Sequence, residues 1–264
     1  METIKSQEFG SELEFATKLA EEAGDITLSQ FGLTTEVVWK EDNSPLTEAD
    51  TAINRLVIER VTSTYPSDGV LGEEASRESG RERLWVVDPI DGTQPFSLGV
   101  PISTFCIALV VNKEPVLGVV YDPFQQRMYQ AVKGEGAFVN GVRLHVSEAT
   151  SLQQNYVVVS SRMSGNYATT GEFCDRFAQA RGKSFNFRSI AYSCMMVASG
   201  KAVEVVAGYF HPWDVAAVKV ILEEAGAKVT DFNDRPLLYE RTDGGLIVSN
   251  GLVHNELSHL VRQA

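Results

Sequence analysis

Cysteine is scarce in this sequence, with Cys106, Cys174 and Cys194 the three among 264 residues. An odd number at wide spacing excludes a disulfide framework and points to inert, buried thiols in a reducing compartment. Long apolar runs are missing too. No stretch approaches the roughly 20 apolar residues that span a bilayer, and the opening METIKSQEFGSELEF lacks the apolar centre of a signal peptide, so a cytoplasmic protein without membrane contact is expected. Basic charge is short: 23 Lys and Arg stand against 35 Asp and Glu, a formal net charge of −12. With no run of Lys and Arg to override that field, nucleic acid is excluded as a partner. An acidic chain that handles an anionic substrate needs a cation between the two, which makes carboxylate clusters the feature to search for.

What is present is an ordinary globular composition, 44% hydrophobic and 22% charged, which excludes disorder. The length suits one large unit or two closely packed halves, with 1–150 and 151–264 as approximate halves. From Phe9 to Phe31 apolar residues recur at three- and four-residue steps, which predicts a long amphipathic helix. A second helix is expected from Thr47 as N-cap, with Asp50 in a capping-box position, to Pro66. The segment Lys40-Glu41-Asp42-Asn43-Ser44-Pro45 between them reads as a loop. Short β-like runs follow at Val70-Leu71, Leu84 to Val87, Thr104 to Val111, Val116 to Tyr121 and Met128 to Val132, then a hairpin turning at Asn140-Gly141. The remainder alternates. Strands are expected at Tyr156 to Ser160, Ala202 to Val206, Lys228 to Thr230 and Leu246 to Ser249, with helices at Gly171 to Ala180, Ala191 to Ser199, Pro212 to Ala225 and at the end to Arg262. A layered α/β structure is the outcome.

Acidic residues stand where ordinary structure would not place them. Gly72-Glu73-Glu74 follows a β-like run, and Trp85-Val86-Val87-Asp88-Pro89-Ile90-Asp91-Gly92-Thr93 ends an apolar strand on Asp88. Proline should stop that strand, leaving Asp88 at its end and Asp91 in the turn beyond. Asp50 and Asp214 each open a helix. Taken singly, each of these is also a cap, a turn or a solvated edge. Together they carry chemistry. Glu73, Asp88, Asp91, Asp214 and Asp50, if drawn into one cleft, would repel and hold their protons unless cations sat among them, and with no His or Cys in these motifs the donor set is the oxygen-only one that Mg²⁺ prefers.

Through Gly72-Glu73-Glu74, Asp88-Pro89-Ile90-Asp91-Gly92-Thr93 and Trp213-Asp214-Val215-Ala216-Ala217, the chain resembles the inositol monophosphatase family of metal-dependent, lithium-sensitive sugar phosphatases. Ser44-Pro45-Leu46-Thr47-Glu48-Ala49-Asp50, Gly118-Val119-Val120-Tyr121 and Gly134-Glu135-Gly136-Ala137-Phe138-Val139-Asn140-Gly141 extend the resemblance over nearly the whole chain. It implies an α/β/α/β/α sandwich, usually a homodimer, with two or three Mg²⁺ ions. Glu73, Asp88 and the Ile90 carbonyl would hold one ion; Asp88, Asp91 and Asp214 a second. Asp50, Glu73 and Thr93 would be catalytic, Thr93 and Asp50 together orienting the attacking water. Asp91, Gly92, Thr93, Ala191, Ala207 and Asp214 would face the substrate.

Two departures bear on the leaving group. Where animal members have a glutamate seven residues before the Trp-Asp aspartate, this chain has Ala207, and Arg188-Ser189-Ile190-Ala191 replaces the usual Gly-Ser/Thr-Ala-Ala. Arg188 either touches a substrate anion or forms a surface ion pair. His211, three residues before Asp214, reads as a packing or hydrogen-bonding residue, and Trp213 as a core aromatic that buttresses Asp214. The resemblance implies a phosphomonoesterase with inositol-1-phosphate as default substrate and histidinol phosphate next. Adenosine 3′,5′-bisphosphate and fructose-1,6-bisphosphate rank lower, and a regulatory protein that keeps a metal site is the alternative of another class.

Overall fold

A computed structural model describes residues 8–32, 36–41, 44–159 and 167–262. Asp42 and Asn43 of the expected loop and Ser160 of the expected strand lie outside them. The elements run α1 (Gly10–Gln30), β1 (Val38–Trp39), β2 (Pro45–Leu46), α2 (Glu48–Thr64), β3 (Gly69–Gly72), β4 (Arg83–Asp91), α3 (Thr93–Ser97), β5 (Thr104–Val111), β6 (Glu114–Asp122) and β7 (Arg127–Val132). They continue with β8 (Gly136–Val139), β9 (Val142–Arg143), β10 (Tyr156–Val159), α4 (Thr170–Gln179), β11 (Lys183–Phe185), α5 (Ile190–Ala198), β12 (Glu204–Ala207), α6 (Pro212–Glu224), β13 (Lys228–Thr230), β14 (Leu246–Ser249) and α7 (His254–Arg262).

A seven-stranded sheet takes its strands in chain order from β3 to β9, and a five-stranded sheet is ordered β11-β10-β12-β14-β13. Both are covered on two faces, which is why their strands read as nearly continuous apolar runs. On β4 and β5, Trp85, Val87, Phe105, Ile107 and Leu109 turn toward α1 and α2, while Leu84, Val86, Cys106, Ala108 and Val110 turn toward α5 and α6. The second sheet presents Val205, Ala207 and Val248 to that same helix pair and Val157, Val206 and Ile247 to α4 and α7. The result is the α/β/α/β/α sandwich, with α5 and α6 as a middle layer shared by both sheets. Helix α6 lies close on β6: a Cβ on Gly118 would stand 2.3 Å from the Ala217 carbonyl oxygen.

Three elements depart from the expectations. Strand β4 does not stop at Pro89 but runs on to Asp91. Its pairing with β5 jumps from Asp88↔Cys106 to Asp91↔Thr104, and on the other side β3 pairs no further than Val87. Pro89 thus sits in a bulge where no ladder donor is required. Pro45 lies in a short hairpin, β1 with β2, rather than in a loop. Strand β11, exposed at all three residues, has no apolar alternation to announce it.

Candidate metal centre and active site

The β4 bulge builds the centre of the site. By inserting residues between the last two paired positions it brings Asp88 and Asp91 toward one side, and the start of α6 supplies Asp214. One carboxylate oxygen from each of the three lies within 4.8 Å of the other two. Asp88 and Asp91 are buried, and Asp214 keeps a partly exposed edge. Burial, reinforced by the charges of Glu73, Asp91 and Asp214, pushes the Asp88 carboxyl well above the usual carboxylate range. Asp214 is raised in the same way, against the pull of its bond from the His211 amide, and Asp91 is raised by burial.

Their surroundings differ. Asp91 is filled with donors from the α5 N-terminus: Ile190 N at 2.9 Å, Ala191 N at 3.0 Å and the Ser189 hydroxyl. It therefore caps that helix from 98 residues away. The Asp88 Oδ1 atom, buried, has no hydrogen-bond partner among the described residues. An orphaned buried carboxylate oxygen beside two more carboxyls is costly without a cation. Hard-cation chemistry fits this all-oxygen set.

Asp50 and Asp214 sit alike, each three residues past an N-cap and each accepting from the cap's backbone: Thr47 N to Asp50 at 2.8 Å, His211 N to Asp214 at 2.6 Å. The capping explanation of both residues holds in the structure. Burial raises Asp50 to about 7, with the bonds from Thr47 pulling the other way. Thr93 opens α3 behind Gly92, whose φ of +94° is a conformation glycine alone adopts without strain. The Thr93 hydroxyl lies 3.0 Å from the Ile90 carbonyl and 3.4 Å from Asp50 Oδ1.

Glu73 is beside the trio but is engaged elsewhere. Lys40 Nζ, from the end of β1, donates to Glu73 Oε1 at 2.9 Å and to Glu74 Oε1 at 2.6 Å. Sequence reasoning missed Lys40, since nothing local ties it to residues 33 positions on. Ala191 is fully buried with its amide on Asp91, and Ala207 is fully buried at the end of β12. The His211 ring stacks on Trp213 at 4.6 Å and lies 2.8 Å from the Tyr209 hydroxyl, so it both packs and hydrogen-bonds, and Trp213 is half-buried at the edge of the core rather than within it. Arg188 Nε donates to Gln94 Oε1 at 2.7 Å rather than to a carboxylate. No helix among the described residues is long and apolar enough to cross a membrane.

A family model described as the inositol monophosphatase family matches residues 11–264. A Thermotoga maritima protein named fructose-1,6-bisphosphatase/inositol-1-monophosphatase is 34% identical over 253 residues, 95% of this chain and 96% of that one. A Chlorobaculum parvum histidinol-phosphatase is 36% identical over 248 residues, covering 93% and 95%. Among solved structures, a Thermotoga maritima IMPase superposes with a TM-score of 0.87 at 32% identity, over 95% of this chain and 96% of that one.

Proposed function

The chain belongs to the inositol monophosphatase family, and from that premise we propose that this phosphatase is a Mg²⁺-dependent phosphomonoesterase of small polyol and sugar phosphates, with inositol-1-phosphate its default substrate. The observation that carries the reading is the orphaned Asp88 oxygen in the Asp88, Asp91 and Asp214 cluster, next to a hydroxyl and carboxylate pair, Thr93 and Asp50. When bound, the metal ions polarise the phosphate and make a nucleophile of water at neutral pH. Glu73, Asp88 and the Ile90 carbonyl are the residues to hold one ion, and Asp88, Asp91 and Asp214 a second.

The chain's own groups do the rest. Asp50, raised to about 7, is suited to take a proton near neutral pH, and Thr93 lies between it and the cluster to orient the water that gives the proton up. A hydroxyl alone is too weak an acid for this, so the carboxylate behind it matters. Gly92 makes the tight turn into α3 that places Thr93, since any side chain there would meet the Ile102 carbonyl at 2.9 Å and Ser189 at 3.0 Å. Ala191 acts through its amide by fixing Asp91, and Ala207, fully buried between β12 and the α5–α6 pair, supplies no polar group to the leaving-group side. The Chlorobaculum parvum relative's name favours histidinol phosphate as the second reading. A homodimer in the cytoplasm completes the proposal.

The test is phosphate release from inositol-1-phosphate, histidinol phosphate, adenosine 3′,5′-bisphosphate and fructose-1,6-bisphosphate, with Mg²⁺ and after chelation. Activity should vanish with chelator and return with Mg²⁺. Full activity in the chelated protein would reject the mechanism.

A further inference from the structure

We infer that Asn54 is a positioning residue for the metal centre: it fastens the backbone on either side of Glu73 and Glu74 to α2, and so sets the affinity of the ion that Glu73 holds without touching that ion. The inference rests on the phosphatase reading above and concerns the same site. Asn54 follows Asp50 by one helical turn, and both are buried on the face that α2 turns inward. Its Nδ2 donates to the Ala75 carbonyl at 3.0 Å, 21 residues away. A Cβ built on Gly72 would stand 2.2 Å from Asn54 Oδ1, so the same amide also lies against the Gly72 backbone. Glu73 and Glu74 are the two residues between those contacts. Other bonds tie the segment to β4, through Glu73 N to the Val87 carbonyl at 3.3 Å, and to itself, through the Ser76 hydroxyl on Gly72. Asn54 ties it to the helix whose first turn carries Asp50.

Packing alone does not call for an asparagine there. Asn54 is 1% exposed, and its Oδ1 is a buried acceptor with no donor among the described residues. A buried amide with an orphaned oxygen costs the fold more than an apolar side chain of the same shape. Leucine matches asparagine heavy atom for heavy atom, and the other inward residues of α2 beyond Asp50 include Ile53, Val57 and Val61. What leucine would lack is the donor to Ala75. Ala75 is itself exposed, so without that donor its carbonyl can turn to water and the segment carrying Glu73 is freed from α2. A position that gives up stability for one bond is where a functional constraint is expected.

Lys40 and Asn54 hold the same segment to opposite effect. The Lys40 ammonium lies on the Glu73 and Glu74 carboxylates, where it opposes a second cation. Asn54 is neutral and bonds backbone, so it fixes the segment and leaves the carboxylates to the ion. A ligand group already held in place loses less freedom when the ion arrives, and that difference appears as affinity. The effect should be confined to one ion. Asp91 is held by the amides of Ile190 and Ala191, and Asp214 by the His211 amide, neither of which involves residues 72–75.

The experiment titrates the chelated protein with Mg²⁺ by calorimetry, with Glu73→Gln and Asp214→Asn marking which binding phase belongs to which ion. Asn54→Leu and Asn54→Ala should weaken the Glu73 phase by about 3- to 10-fold, the worth of one hydrogen bond, and leave the Asp214 phase within about 2-fold. Chelated Asn54→Leu should melt no lower than wild type, because the orphaned oxygen leaves with the amide, whereas Asn54→Ala leaves a hole and should melt lower. A loss of the Glu73 phase common to both then cannot be put down to unfolding. With inositol-1-phosphate, both variants should need about 3- to 10-fold more Mg²⁺ for half-maximal activity and recover kcat to within about 2-fold at saturating Mg²⁺. Equal weakening of the two phases, or an unchanged Glu73 phase in both variants, would overturn the inference while leaving the phosphatase reading standing. A wild-type protein that takes up no Mg²⁺ would instead overturn the reading beneath it.

Discussion

Asp88 and Asp91 are three residues apart and equally buried, yet their chemistry differs because of what surrounds them. Asp91 receives bonds from the α5 N-terminus, so part of its role is to tie that helix to β4. Asp88 has a buried oxygen with no donor among the described residues, which a cation would satisfy. Asp88→Asn should therefore abolish Mg²⁺ binding and turnover together, whereas Thr93→Ala should spare most binding and lower kcat by about 10²- to 10⁴-fold, the range of a lost proton-transfer group. Calorimetric titration with Mg²⁺ beside steady-state kinetics checks both; equal loss of metal affinity in the two would make Thr93 structural. Lys40 offers a contrary case. Its ammonium occupies Glu73, a proposed metal ligand, so it competes with the ion for that carboxylate. Lys40→Met should tighten Mg²⁺ binding several-fold in the same titration, and weaker binding would show that Lys40 instead holds Glu73 in place for the metal.

At the scale of elements, Gly118 and α6 give the sharpest expectation. A methyl group there would strike the Ala217 backbone at 2.3 Å, and backbone cannot turn aside as a side chain can. Gly118→Ala should cost about 1–3 kcal/mol or more in denaturant unfolding. It should also weaken Mg²⁺ binding, because α6 carries Asp214 and would be pushed off β6. Unaltered metal affinity with lowered stability would show that α6 yields elsewhere. Most elements were legible in the sequence because their signals are local: the α1 stripe, the Thr47 and Asp50 cap, the Asn140-Gly141 turn. The bulge was not. Pro89 correctly announces a break in pairing, but whether a strand ends there or bulges depends on β3 and β5, and β3 stops pairing at Val87. Strand β11 was missed because an exposed edge has no burial pattern to read. In the site, the acidic residues stood out by their motifs, while Lys40 on Glu73, Ser189 on Asp91 and Gln94 on Arg188 join segments 33 to 98 residues apart. Such pairs exist only after the sheets and α5 have come together.

For the molecule as a whole, the raised carboxyls couple folding, pH and metal. Asp50, Asp88, Asp91 and Asp214 all titrate higher folded than unfolded, so between their two values the folded chain holds protons the unfolded chain has released. Stability from these groups is complete below the ordinary carboxylate range and is lost as pH rises through the folded values. His254, buried and lowered to about 4, works in the opposite direction, adding stability as pH rises from about 4 to its unfolded value. The informative window is from about pH 6.5 to 8, where the unfolded His254 is losing the last of its charge and Asp50, at about 7, is still titrating. In that window the melting temperature of the chelated protein should fall as pH rises, and saturating Mg²⁺ should remove the fall by stabilising the ionised carboxylates. Glu204 provides the control: it is fully buried on β12, raised by burial, and neither of its oxygens has a partner among the described residues. It lies outside the metal cluster, so Mg²⁺ cannot rescue its share, and Glu204→Gln should raise both curves at the alkaline end without changing the gap between them. A gap between chelated and Mg²⁺-loaded curves that stayed constant from pH 6.5 to 8 would show that the cluster carboxyls are already ionised without metal, and would remove the linkage.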